Sequence, residues 1–212
     1  MTLKLSDKSV IPHPEASGRD LLPPIQAGDA GSGFGMTELE MSFFFHTLFG
    51  LPPGRDSNIS EIMKNHKTPM HVLLTDDDED DRLIFKEILG EMDRNINLRM
   101  VNDGKQLMDY LTTENNPLPH IIFLDLNMPN MSGVECLKEI RSHEKYNDIS
   151  IAIYSTSTSK KDIDDTFYHG ANIYITKPAA YSELKKVLKK SLSVVRLNLN
   201  SEFDRSNFVL KI

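Results

Sequence analysis

Five apolar runs alternate with five amphipathic stretches between residues 70 and 197, and this order constrains the fold more than any other feature. Three of the runs are continuous, as in strands buried on both faces, and two alternate with polar residues, as in strands that are less covered. Repeated alternation of strand and helix predicts an α/β domain with a parallel sheet and right-handed crossovers. The continuous runs are 72–74, 121–124 and 149–154, and the alternating runs are 96–100 and 173–176.

The alternating second and fifth runs are expected at the edges of the sheet. We therefore predict a five-stranded parallel sheet in the flavodoxin-like order 2-1-3-4-5, with helices on both faces. The topological switch point of this order lies between strands one and three, so a site is expected at the carboxyl ends of those strands. The helical stretches expected to cover the sheet are 80–92, 105–111, 132–142, 160–169 and 182–197.

Composition excludes several classes of function. The 212 residues hold 24 Lys and Arg against 31 Asp and Glu, a net charge of −7, which argues against a general binder of nucleic acid or anionic membranes. The lone Cys136 cannot form an internal disulfide and gives no zinc-type spacing. No apolar stretch approaches the ~20 residues that a transmembrane helix needs, and the first residues lack the apolar core of a signal peptide. We expect a cytoplasmic protein without a membrane partner.

The first part of the chain differs from the rest. Prolines and glycines recur through residues 11–35, a composition that interrupts helices and strands. We predict that 1–69 is a flexible, largely disordered N-terminal extension, that 70–197 is the folded domain and that 198–212 is a C-terminal tail. A capping box from Thr37 to Glu40 and several phenylalanines indicate a short helix near 37–49. That helix could dock on its own domain, bind a partner, or belong to a segment upstream of a later start.

Polar side chains follow four of the five predicted strands. Asp76 and Asp77 come after strand one, Asp125 after strand three, Ser155 after strand four and Lys177 after strand five. Carboxylates that converge at one edge of a sheet repel one another unless a cation lies between them, and oxygen ligands suit Mg²⁺. A lysine and a hydroxyl opposite the metal can hold a phosphoryl group. Because the chain lacks the glycine-rich loops of nucleotide sites, this pattern indicates phosphoryl transfer onto a carboxylate.

Residues 70 to about 197 resemble a response-regulator receiver domain of the bacterial chemotaxis-regulator type. The acidic pair, Asp125 within IIFLDLNMPNMSG, Ser155 and the pair Lys177-Pro178 carry the resemblance. Their spacing fits as well, with 30 residues from Asp125 to Ser155 (155 − 125) and 22 more to Lys177 (177 − 155). The segment LLTDDDEDDRLIF is most similar to small stand-alone receivers that partner bacterial phytochromes and hybrid histidine kinases.

The resemblance implies a metal site and a phosphoacceptor. Asp125 would be the nucleophile that accepts the phosphoryl group and also a ligand of Mg²⁺. Asp77 would bind the metal directly, Asp76 through water, and Asn127 through its backbone carbonyl. Asp78 and its neighbours in the acidic run are expected to lie on the solvated first turn of helix one, where carboxylates favour the helix dipole.

The resemblance also implies a switch. Lys177 would bind the phosphoryl oxygens, with a cis peptide bond before Pro178, and Ser155 would contact the phosphoryl group. Tyr174 on strand five would then turn inward and change the protein-binding surface formed by helix four, strand five and helix five. Two positions depart from the family: Thr75 is usually aliphatic and Ser155 is more often threonine.

The function implied is that of a single-domain response regulator in a two-component phosphorelay, rather than that of an enzyme. Its partner would be a histidine kinase or a phosphotransfer protein, with a homodimer as a further expectation. Only 35 residues follow Lys177 (212 − 177), so no DNA-binding domain is expected. Two alternatives are weaker. A haloacid-dehalogenase-type phosphatase needs an acid where Asn127 stands, and a scaffold without phosphorylation would not need the intact acids and lysine.

Overall fold

The computed structural model describes residues 69–92, 95–196, 205 and 207–210. The predicted extension lies outside these residues except for Pro69, and so does the helix expected near 37–49. The predicted C-terminal tail is described only in part. The domain boundaries at 70 and 197 stay predictions.

The described chain forms five strands and five α-helices that alternate along the sequence. The strands are β1 Met70–Thr75, β2 Ile96–Val101, β3 Ile121–Leu124, β4 Ser150–Ser155 and β5 Ile173–Thr176. The helices are α1 Glu79–Met92, α2 Gly104–Thr112, α3 Gly133–Arg141, α4 Lys160–Tyr168 and α5 Tyr181–Arg196, with a 3₁₀ turn at Glu144–Tyr146. All strand pairs are parallel, and the order β2-β1-β3-β4-β5 confirms the prediction.

Two apolar layers cover the two faces of the sheet. Successive side chains on a strand point to opposite faces, so Leu74 packs in the layer beneath α1 and α5 while Leu73 packs in the layer beneath α2 and α3. Phe85 of α1 lies edge-on to Phe123 of β3, with ring centroids 4.9 Å apart. Burial on both faces holds the central strands in one register, and this register fixes where their carboxyl ends meet.

Strand β5 is more covered than its alternating sequence indicates. Ile173, Tyr174 and Ile175 are all buried, whereas β2 alternates as predicted. The reason lies in the tail, because the backbone N–H of Tyr174 donates to the carbonyl of Phe208 at 2.8 Å and the N–H of Leu210 donates to the carbonyl of Tyr174 at 2.9 Å. The expectation of a less covered fifth strand is therefore wrong.

Phe208 anchors this piece of tail. Its side chain is fully buried, and its ring centroid lies 5.0 Å from that of Phe167 and 6.0 Å from that of Tyr174.

We expect Phe208→Ala to lower the free energy of unfolding by about 3–5 kcal/mol, the range for deleting a buried aromatic ring. Urea denaturation measures it, with Tyr168→Ala as the control because Tyr168 is 83% exposed. Equal stability of the two variants would contradict the packing.

Two histidines stack near the amino-terminal ends of β1 and β3, opposite the strand ends that carry the acids. The rings of His71 and His120 are 5.6 Å apart and nearly parallel, and Nδ1 of His120 accepts the backbone N–H of His71 at 3.0 Å. Partial burial of the ring, followed by the charge of His71, lowers the pKa of His120. The folded protein therefore favours neutral His120.

This arrangement predicts a loss of stability in mild acid. The unfolded chain binds a proton at His120 near pH 6.5, above the pKa in the folded state, so the free energy of unfolding falls as the pH drops through that interval. His120→Asn keeps an acceptor for the His71 N–H but cannot titrate. Denaturation at pH 7.5 and 5.5 should show a smaller difference for the variant, and an unchanged difference would refute this account.

Candidate functional site

Three carboxylates meet at the carboxyl ends of β1 and β3. Asp76 and Asp77 follow β1, Asp125 follows β3, and one oxygen from each lies within 4.8 Å of the others. Asp76 is fully buried and Asp125 is nearly so, whereas Asp77 is exposed. The structure thus brings together the three acids that the sequence singled out, in a pocket that opens to solvent beside Asp77.

Backbone hydrogen bonds extend past the strands and hold these acids in place. The N–H of Asp76 donates to the carbonyl of Val101, and the N–H of Asp125 donates to the carbonyl of Thr75 at 2.9 Å. In the side chain of Asp125, Oδ1 accepts the N–H of Leu126 at 2.7 Å. Oδ2 of Asp125 accepts no hydrogen bond from the described residues, so it is the oxygen of this carboxylate that is available to react.

Gly133 is required by the close approach of two backbone segments. A Cβ atom at this position would lie 2.1 Å from the carbonyl oxygen of Asp125, which no side chain permits. The N–H of Gly133 also donates to the carbonyl of Leu126 at 3.0 Å, and α3 begins here behind the capping box of Ser132 and Glu135. Gly133 therefore fixes the loop behind Asp125. Asn127 lies in this loop with its side chain exposed.

Lys177 reaches the acids from the end of β5. Its Nζ lies 2.8 Å from Oδ2 of Asp76, 2.7 Å from Oδ2 of Asp81 and 3.7 Å from Oδ2 of Asp125. The side chain is only 9% exposed, and Nζ lies 5.0 Å from the centroid of the Tyr154 ring. In this structure the ammonium is thus hydrogen-bonded to Asp76 and Asp81, within reach of Asp125.

Asp81 is the site residue that sequence reasoning missed. The acidic run was interpreted as a solvated first turn, and for Asp78 that holds, since its side chain caps α1 by accepting the N–H groups of Asp80 and Asp81. Asp81 also lies in this first turn, but its carboxylate pairs with Lys177, a contact that the sequence did not predict. Six consecutive acids give no sequence signal for which one faces Lys177.

The electrostatics of the pocket favour a cation. Burial raises the pKa of Asp76 to about 6 despite its hydrogen bond from Lys177, so this carboxylate is costly to ionise. Burial opposes the charge of Lys177, but its hydrogen bonds to Asp76 and Asp81 outweigh this and raise the pKa of the ammonium. One lysine cannot balance four carboxylates. The three converging acids supply only hard oxygen donors, and this set fits a divalent cation such as Mg²⁺.

A chain of hydrogen bonds leads from Ser155 to Tyr174. Ser155 is buried at the end of β4, and its Oγ accepts the N–H of Ser157 at 3.3 Å. The hydroxyl of Tyr174 donates to the carbonyl of Ser157 at 2.9 Å, with the tyrosine side chain fully buried beside Phe208. Both proposed switch residues thus contact the loop between β4 and α4, and Tyr174 already lies inside.

The structure also shows the surroundings of Thr75, Cys136 and the peptide bond before Pro178. The hydroxyl of Thr75 is buried, and the described part of the chain offers it no hydrogen-bond partner, a cost of about 1–3 kcal/mol at a position where the resemblance implies an aliphatic residue. Burial raises the pKa of Cys136 to about 12, which keeps the thiol unreactive. The described residues contain no cis peptide bond, so the bond before Pro178 is trans, unlike the bond that the resemblance implies.

A parallel α/β sheet with three acids, a hydroxyl and a lysine at its carboxyl edge defines a class of phosphoryl-accepting signalling domains. The family model of the response regulator receiver domain matches residues 72–189, and the chain belongs to this family. Its members are phosphorylated on an aspartate in two-component systems, bind divalent metal in an acidic pocket, and interact with histidine kinases or phosphotransfer proteins.

Individual relatives agree with this assignment. A chemotaxis protein CheY homolog of Campylobacter jejuni is 32% identical over 123 residues, which is 58% of this chain and 92% of the relative. The Mn²⁺-bound form of response regulator Rcp1 matches with a TM-score of 0.55 and 29% identity, over 59% of this chain and 93% of Rcp1. The phosphorylated cyanobacterial phytochrome response regulator RcpA matches with a TM-score of 0.56 and 32% identity, over 59% and 92%. The expected likeness to phytochrome-partner receivers is confirmed.

None of the described helices is both long and apolar enough to cross a lipid bilayer.

The pocket predicts that Mg²⁺ stabilises the fold. Relief of repulsion among the acids should raise the free energy of unfolding by about 1.4 kcal/mol at a free Mg²⁺ concentration ten times Kd. Thermal melts in EDTA and in Mg²⁺ measure the effect. Asp77→Ala should abolish most of it, and Glu114→Ala, which removes an exposed acid elsewhere, should not. A melting temperature that is the same with and without Mg²⁺ would show that these acids form no metal site.

Proposed function

We propose that this protein accepts a phosphoryl group on Asp125 from the phosphohistidine of a histidine kinase or phosphotransfer protein. The observation that carries the proposal is the position of Asp125, whose carboxylate lies close to two others and whose Oδ2 is 3.7 Å from the ammonium of Lys177. A nucleophilic carboxylate oxygen beside a fixed cation is what in-line phosphoryl transfer requires of a protein, since positioning and electrostatics supply most of the catalysis.

In the transfer, a lone pair on Oδ2 of Asp125 forms the new O–P bond as the P–N bond of the donor histidine breaks. The imidazole leaves with the electron pair of that bond. Oδ1 stays held by the N–H of Leu126, which keeps the carboxylate oriented while its other oxygen reacts. Lys177 and the hydroxyl of Ser155 are assigned to the oxygens of the transferred group.

Mg²⁺ is the cation we propose for the pocket. The side chain of Asp125 and that of Asp77 would bind it directly, Asp76 through water and Asn127 through its backbone carbonyl. When bound, the ion neutralises charge on the phosphoryl oxygens. The oxygen-only donor set supports this choice, and the Mn²⁺-bound form of Rcp1 holds a divalent metal in a related protein.

The proposed output is a change of the surface around β5. A phosphoryl group that draws Ser155 toward Asp125 would disturb the loop whose Ser157 carbonyl accepts the Tyr174 hydroxyl. Tyr174 in turn pairs with Phe208 through its backbone, so the tail would move with it. Such a change is a shift between two conformations rather than a new fold. A partner protein, or a second copy of this chain, would read that surface.

The other functions weighed from the sequence have less support. A haloacid-dehalogenase-type phosphatase would need an acid at the position of Asn127, whose side chain is exposed. A scaffold that is never phosphorylated would not need Lys177 buried against two carboxylates. We propose that the protein acts in cytoplasmic signalling.

The test is labelling by a small phosphoryl donor. Asp125→Asn keeps the size of the side chain but cannot act as the nucleophile, so incubation with acetyl phosphate and Mg²⁺ should leave the variant unlabelled. Wild type should carry one base-labile phosphate, detected by intact-protein mass spectrometry. Asp148→Asn, an exposed acid after the 3₁₀ turn, is the control and should label as wild type does. Full labelling of Asp125→Asn would exclude Asp125 as the acceptor.

A further inference from the structure

Lys177 is hydrogen-bonded to two carboxylates, and one of them is outside the metal pocket. Asp76 belongs to the three acids that converge, whereas Asp81 lies in the first turn of α1 and is not among them. Both carboxylates are within hydrogen-bond distance of Nζ, at 2.8 and 2.7 Å, while Asp125 is farther, at 3.7 Å.

The contact between Asp81 and Lys177 is fixed from both sides. Lys177 is held at its backbone, where its N–H donates to the carbonyl of Ser155 at 2.8 Å, and its side chain is 9% exposed. Asp81 sits on the first turn of α1, where its N–H is capped by Asp78 at 3.3 Å, and its side chain is 34% exposed. The backbone positions of both residues are therefore compatible with this ion pair.

We propose that Asp81 is a positioning residue for Lys177 that competes with the phosphoryl group on Asp125 for the ammonium. This inference rests on the proposed function of Asp125. A cation in the pocket would satisfy Asp76 and release Lys177 from it, but it would leave the pair with Asp81 intact. The phosphoryl group must then weaken that pair to gain the lysine, so Asp81 lowers the affinity of the site for a phosphoryl group.

The negative charge of Asp81 also lowers the affinity of the site for a phosphoryl group. A phosphoryl group adds negative charge to a pocket that already holds several carboxylates, and Asp81 repels it directly. Removal of the Asp81 charge should therefore favour the phosphorylated form through both effects. A residue with a merely structural role would do the opposite, because its loss would loosen Lys177 and weaken phosphoryl binding.

The experiment measures binding of beryllofluoride, a phosphoryl analogue, to the full chain in the presence of Mg²⁺ by ¹⁹F NMR. We expect Asp81→Asn to tighten binding by about three- to tenfold, a range suited to a partly exposed ion pair with charge-assisted hydrogen bonds. Asp80→Asn is the matched control, since it removes the same charge from an exposed neighbour on the same turn and should change affinity less than twofold.

Stability without metal provides a readout that does not depend on phosphoryl binding. In EDTA, Asp81→Asn should lower the melting temperature more than Asp80→Asn does, and this difference should vanish when both are placed in a Lys177→Met background. If this difference in melting temperature vanishes, Asp81 affects stability through its ion pair with Lys177. A difference that persists without Lys177 would overturn the proposal.

The outcomes distinguish the proposed role of Asp81 from the proposed function of Asp125. Beryllofluoride affinity in Asp81→Asn that equals or falls below that of Asp80→Asn, with wild type still binding, would overturn the competition and leave Asp125 as the acceptor. Failure of wild-type protein to bind beryllofluoride would overturn the proposed function, and with it the role given to Asp81.

Discussion

The contact of Lys177 with the buried carboxylate of Asp76 is the interaction on which the pocket depends. Asp76 has no exposed surface, and its burial alone would favour the neutral acid. The ammonium 2.8 Å away offsets part of that cost, and it comes from a residue 101 positions later in the chain. The strand order of the sheet, with β1 and β3 inside and β5 two strands beyond β3, places these groups together.

The same sheet connects the pocket to the surface around β5. Ser155 ends the strand that separates Asp125 from Lys177, and the loop after it accepts the hydroxyl of Tyr174. Tyr174 carries backbone hydrogen bonds to the tail at Phe208. A short series of packed, hydrogen-bonded groups therefore links the acids to the surface around β5.

Sequence reasoning predicted the parts of this protein that obey simple periodicity. Strand order followed from which runs were continuous, and the converging acids with Lys177 followed from their place after parallel strands. It could not predict that Phe208 would cover β5, because the apolar run Phe208-Val209-Leu210 is too short to show a period that identifies its packing partner. It could not select Asp81 from six consecutive acids either, since the choice depends on how α1 is rotated against Lys177.

The measurement that tests the central claim most directly is chemical mapping of the phosphorylated residue. Wild-type protein is treated with acetyl phosphate and Mg²⁺, reduced with borohydride, and digested for peptide mass spectrometry. Borohydride converts an acyl phosphate on aspartate to homoserine, which marks the acceptor. The account predicts homoserine at Asp125 alone, at the end of β3. Homoserine at Asp76, Asp77 or Asp81 with Asp125 unmodified would contradict it.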